Sequence, residues 1–149
     1  MLVFQWYFGK NVKLKALERA LLEYGYVESV QIVEQTEKIV IYLAFGDIDN
    51  LNEAYGNVWN TVKDHLKRQP FEVKIENKTN SIIDDIYNEK IQFIIYEALA
   101  TGEFTKMRER LNEIENTSDS LRIQVLLDSS NLYLHINLNE SSYYKIIQR

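Results

Sequence analysis

The sequence contains no cysteine, one proline, five glycines and two histidines among 149 residues. Without cysteine there are no disulfides, zinc–thiolate centres, iron–sulfur clusters or cysteine nucleophiles. With so little proline and glycine, long irregular linkers have little material. His65 and His135 stand alone, with no His-x-x-x-His or Glu-x-x-His spacing around either. A helical metal site of the usual kind is therefore missing, and no metal or cofactor is expected.

Positive charge is also in short supply. Seventeen lysines and arginines face 22 aspartates and glutamates, for a net charge of −5. That balance repels phosphate backbones, so nucleic acid is not expected as a partner. The nearest basic cluster, His65-Leu66-Lys67-Arg68, falls where a helix should end, and there it complements the helix dipole. No glycine-rich phosphate loop occurs, since Gly46, Gly56 and Gly102 are isolated, and no Gly-x-Ser-x-Gly elbow is present. Asp47-Ile48-Asp49-Asn50 resembles the start of a calcium loop, but Val58 occupies its twelfth position. Helix capping by Asp47 or Asp49 explains the same residues.

A membrane-spanning helix needs about 20 apolar residues. The opening run, Met-Leu-Val-Phe-Gln-Trp-Tyr-Phe, is far shorter. It has neither a basic leader nor a small-residue cleavage site, so no signal peptide is expected. No membrane span is expected within the chain, and the location expected is cytoplasmic. The alternative is an anchor upstream of Met1, because Trp6-Tyr7-Phe8 followed by Lys10 has the composition of the interfacial end of a span. Abundant asparagine, isoleucine and lysine point to a coding sequence rich in A and T, and the source expected is bacterial.

Hydrophobic residues make up 46% of the chain and charged residues 26%, the balance of a globular protein. Leu2–Phe8 is rich in aromatic residues and reads as a strand. After Gly9-Lys10-Asn11, Leu14, Leu17, Leu21 and Tyr24 recur at helical spacing. Val27–Val33 and Ile39–Phe45 read as a hairpin. Leu51, Ala54, Tyr55, Val58, Trp59, Val62 and Leu66 mark a second helix, ended by Pro70. Phe71–Glu76 alternates as a half-buried strand does. The resulting order is that of the ferredoxin-like βαββαβ unit, in which the first strand lies inside the sheet. Phe4, Trp6 and Phe8 would then share one face. The basic-glycine-aromatic signature of an RNA-recognition strand is missing from Glu37–Phe45, which favours core packing for these aromatics.

In the second half, apolar positions 83, 86, 87, 91, 94, 95 and 98 predict a helix, with a strand over Ile91–Leu99 as the alternative. Thr101-Gly102 breaks it, and Phe104, Met107, Leu111 and Ile114 mark a shorter helix. Two alternating segments, Leu121–Asp128 and Leu132–Leu138, form the clearest strand pair. Glu140–Arg149 reads as a short terminal helix. Val30–Leu43 aligns without gaps to Ile123–Ile136, each after an amphipathic helix, as a duplicated α-β-β unit or any two amphipathic hairpins would.

The expected architecture is α+β: a ferredoxin-like unit over residues 1–77, then a smaller ααββ(α) unit over residues 78–149 packed on it. The expected function is a non-catalytic protein-binding, regulatory or adaptor module with an acidic surface, like an inhibitor, an immunity protein or an accessory assembly domain. A protein partner is expected, with homo-oligomerisation as a further state. The alternative is a small-ligand sensor or an enzyme of unfamiliar type, with Tyr24, Tyr26, Tyr55, Trp59 and His135 as ligand-binding residues between the halves and no catalytic residue identified.

Overall fold

Ile39–Phe45 and Asn131–Leu138 each run through the middle of a three-stranded sheet, and the chain is organised around these two segments. The computed structural model describes the backbone of residues 2–149 and the side chains of residues 12–149. The fold is mixed α and β, in two compact units, Met1–Glu76 and Asn77–Arg149.

In the first unit, α1 (Leu2–Leu22) leads into the hairpin of β1 (Val27–Glu34) and β2 (Ile39–Phe45). Next come α2 (Leu51–Leu66) and β3 (Phe71–Ile75). The sheet order is β1-β2-β3, with β1 antiparallel and β3 parallel to β2. Ile39, Val40, Ile41 and Leu43 are essentially inaccessible. α2 buries Leu51, Ala54, Val58, Val62 and Leu66 along one stripe, and α1 contributes Leu17 and Leu21.

The leading segment differs from the strand expected for it. Leu2–Phe8 belongs to α1, so the order seen is αββαβ and the inner strand of a ferredoxin-like unit is not present among the described residues. Strand pairing gives the reason. β2 and β3 pair directly, from Ile39↔Phe71 to Leu43↔Ile75, and fill the slot an inner strand would need. Gly9 does not stop the helix, since one interior glycine costs only about 1 kcal/mol. The packing expected for Phe4, Trp6 and Phe8 lies outside the described side chains. The cap of α2 is Asn50 rather than Asp47 or Asp49, its Oδ1 accepting the Glu53 N–H at 3.0 Å. His65 and Lys63 do fall in the last turn of that helix, where cations complement the dipole.

In the second unit, a helical run passes from α3 (Ser81–Ile86) through a π-helical turn (Tyr87–Ile91) into α4 (Gln92–Thr101). Gly102 closes it with a left-handed φ of 77°, and α5 (Phe104–Glu115) follows. Then β4 (Leu121–Leu127), β5 (Asn131–Leu138) and β6 (Ser141–Gln148) form an antiparallel meander. Leu132, Leu134, Ile136 and Leu138 present one face of β5 to Ile83, Ile91, Ile95, Met107 and Leu111 of the helices. The terminal segment is a strand, not the helix expected. Asn139, at φ 56°, turns the chain back at once, and Ser141–Gln148 then pairs residue by residue with β5. The Asn77 side chain covers the outer edge of β6 as a main chain would. Its Oδ1 accepts the Tyr144 N–H at 2.8 Å, and its Nδ2 donates to the Tyr144 carbonyl at 2.9 Å.

The two hairpins share a register. The same offset of 93 positions separates Val30 from Ile123, their partners Leu43 from Ile136, and the helix ends Leu22 from Glu115. The closing bonds also match, Gln35 N–H to Lys38 carbonyl and Asp128 N–H to Asn131 carbonyl. The match is broken at the start of β1, where a bulge between Val27 and Ser29 shifts the register, and it ends after the second strand.

If β5 carries the second core, Leu134→Ala leaves a cavity there and costs about 2–5 kcal/mol, while exposed Gln124→Ala stays within about 0.5 kcal/mol. Chemical denaturation measures both, and equal small effects would place the core elsewhere.

Candidate functional site

The helical run from Ser81 to Thr101 is built on a four-residue spacing. Ile83, Tyr87, Ile91 and Ile95 are all buried. An α-helix of 3.6 residues per turn would rotate such a stripe off the core by about 40° at each step. The π turn absorbs the mismatch: the Gln92 N–H reaches the Tyr87 carbonyl five residues back, so the inward stripe stays inward. Asn80 fixes the start, its Oδ1 accepting the N–H groups of Ile82 and Ile83, each at 3.1 Å.

With the inner stripe satisfied, large apolar groups remain on the outside. Phe93 is 65% exposed, Ile82 58% and Tyr96 51%. Glu89, Phe93 and Tyr96 follow one another at helical spacing, so they share a face. Asp84, Asp85, Glu89 and Glu97 against Lys90 alone make this run acidic. Glu97 forms an ion pair with Arg110 of α5.

Tyr87 ties this surface to the sheet. Its ring packs on Tyr143 of β6 at 5.8 Å between centroids, and the Lys145 ammonium lies 4.5 Å from the Tyr87 ring centre. Burial raises the pKa of the Tyr87 hydroxyl, against the lowering effect of a hydrogen bond with Tyr96. Burial, with smaller contributions from Tyr87 and Asp84, pushes the Tyr143 hydroxyl up to about 12. Both phenols are neutral at physiological pH, where they offer hydrogen bonds and aromatic surface. Among the described residues, no group of three or more His, Cys, Asp or Glu is placed to hold a metal ion.

The residues selected from sequence fall into separate places. Tyr24 and Tyr26 stack at 5.3 Å. They hold the start of β1 to one flank of α2, through the Tyr24 hydroxyl with Thr61 Oγ1 at 2.9 Å and Asn57 Nδ2 donating to the Tyr26 hydroxyl at 3.2 Å. Tyr55 and Trp59 lie on the other flank, where Trp59 meets Phe71 of β3 at 4.7 Å. Both pairs belong to the first unit and His135 to the second. His135 pairs with Tyr144 across β5 and β6, ring centres 4.5 Å apart, and its Nε2 lies 3.4 Å from Ser142 Oγ. Phe93 and Tyr96 were not selected from sequence. Their signal was there: both are out of phase with the apolar stripe at 83, 87, 91, 95 and 98.

Comparison with protein-family models, curated proteins and solved structures finds no significant match to this chain. The class defined by fold and surface is a two-unit α+β protein with an exposed acidic and aromatic helix face. No described helix is long and apolar enough to cross a membrane.

The Tyr143 environment is checked by alkaline titration. Its folded pKa lies above the unfolded value of about 10, so its stabilising contribution is full below pH 10 and is lost as pH rises through about 12. Tyrosinate absorbance should show a late phase near 12 that Tyr143→Phe removes. A single phase near 10 in both proteins would contradict the burial described.

Proposed function

We propose that the protein is a non-catalytic protein-binding module, with the outer face of α3–α4 as its contact surface. The observation that carries this reading is that Ile82, Phe93 and Tyr96, three large side chains, are each more than half exposed on one helical run. Exposed apolar groups grouped in this way mark interaction sites. Aromatic residues contribute most to such contacts, because each buries a large area at little conformational cost. Asp85 and Glu89 beside them favour a partner with a basic, amphipathic segment, by charge complementarity. An inhibitor, an immunity-like protein or an adaptor domain all work in this manner, and the cytoplasm is the proposed setting.

The test is site-specific photo-crosslinking in native cells, with the reactive residue at position 93 or 96 and a control at exposed Glu113 on α5. The expected result is one discrete adduct from 93 and 96 and none from 113. Phe93→Ala or Tyr96→Ala should weaken binding of that adduct's partner roughly tenfold, since hot-spot truncations cost upwards of 1 kcal/mol. Equal or absent labelling at all three positions would contradict the proposal.

A further inference from the structure

The helical state of the leading segment leaves its composition unexplained. As a strand inside a sheet, Leu2–Phe8 would be apolar because it was buried, but the slot for that strand is taken by β3. On a helix, Leu2, Val3, Phe4, Trp6, Tyr7 and Phe8 occupy roughly two-thirds of the circumference. That is wider than the stripe of about 100° by which a surface helix meets one core. α1, at 21 residues, extends about 31 Å, whereas the seven residues of β2 span about 23 Å. Among its described side chains, from Val12 onward, the fully buried ones are Leu17 and Leu21, near its end. Earlier along it, Val12 is 53% exposed, and Lys13, Lys15 and Ala16 are exposed as well.

Charge is segregated in the same segment. The first 20 residues hold Lys10, Lys13, Lys15 and Arg19 against Glu18 alone, a local +3 in a chain whose net charge is −5. An apolar, aromatic stretch followed at once by cations is the arrangement that suits a bilayer interface. The aromatic rings sit at headgroup level, and the lysines meet anionic lipid.

We propose that the amino-terminal half of α1 binds the surface of an anionic lipid bilayer, with Leu2–Phe8 entering the interface and Lys10, Lys13 and Lys15 on the headgroups. The contact is peripheral and holds the two units beside the membrane. It uses no residue of the α3–α4 face, so either surface can fail without the other.

The experiment uses the whole chain carrying Trp59→Phe, which leaves Trp6 as the only indole. Vesicles of phosphatidylcholine alone are compared with vesicles containing about one-third phosphatidylglycerol. The protein should co-sediment with the anionic vesicles, with a blue shift of Trp6 emission, and should dissociate as salt is raised from about 0.1 M to about 0.5 M. Phe4→Glu with Phe8→Glu, and separately Lys13→Glu with Lys15→Glu, should each weaken binding about tenfold or more. The lysine pair is exposed, so that variant keeps its fold and tests the charge contribution alone. Failure to sediment with anionic vesicles, or binding that neither pair of substitutions changes, would overturn the proposal. So would self-association in solution that the same substitutions abolish while vesicles are ignored, since the occupant would then be a second copy of the chain.

Discussion

β2 and β5 each carry hydrogen-bonded strands on both sides, and each presents an unbroken apolar face to helices. A strand so placed has no free backbone groups along its length and no wet side on its inner face, so its register is strongly specified. The other elements take their positions from it. In the first unit α2 must cross over the sheet to bring β3 in parallel, and its buried stripe is cut to that face. In the second, the spacing of Ile83, Tyr87, Ile91 and Ile95 matches the β5 face only because the helix widens into a π turn. That adjustment sets which residues of the run face outward, and so produces the exposed Phe93 and Tyr96.

Both functional proposals arise from places where local pattern and tertiary packing part company. Phe93 and Tyr96 are apolar residues that the core does not take. The leading segment is apolar on more sides than one core can use, and its cations oppose the charge of the rest of the chain. The two proposals together assign the protein two differently charged contact surfaces, an acidic aromatic helix face and a basic apolar helix end. Such segregation favours simultaneous binding of unlike partners, because each surface repels what the other attracts.

Much of the second unit was legible in the sequence. Of the apolar positions 83, 86, 87, 91, 94, 95 and 98, five are buried and Ile86 and Ile94 are half-buried against the same core, and the alternation across Leu121–Asp128 and Leu132–Leu138 corresponds to the β4–β5 pair. Leu2–Phe8 was not legible, because a run apolar or aromatic at every position but Gln5 has no clear period and suits helix or strand equally. The end of the chain was misread because Asn139 turns it sharply without glycine or proline, and Ser141–Gln148 alternates only weakly. Tyr24, Tyr26, Tyr55, Trp59 and His135 were selected by residue type, and type does not report which flank of α2 or which unit a side chain occupies. Exposure decides an interface, and exposure depends on the core phase that the π turn sets.

Hydrogen exchange resolved along the backbone tests most directly whether the central strands organise the two units. The slowest amides should be those of Ile39–Leu43 and Leu132–Ile136, slower than the edge strands β1 and β6 that flank them, since only the central strands require each unit to open before they exchange. Exchange in β2 or β5 as fast as in their edge neighbours would contradict the account, because no strand would then hold its unit together.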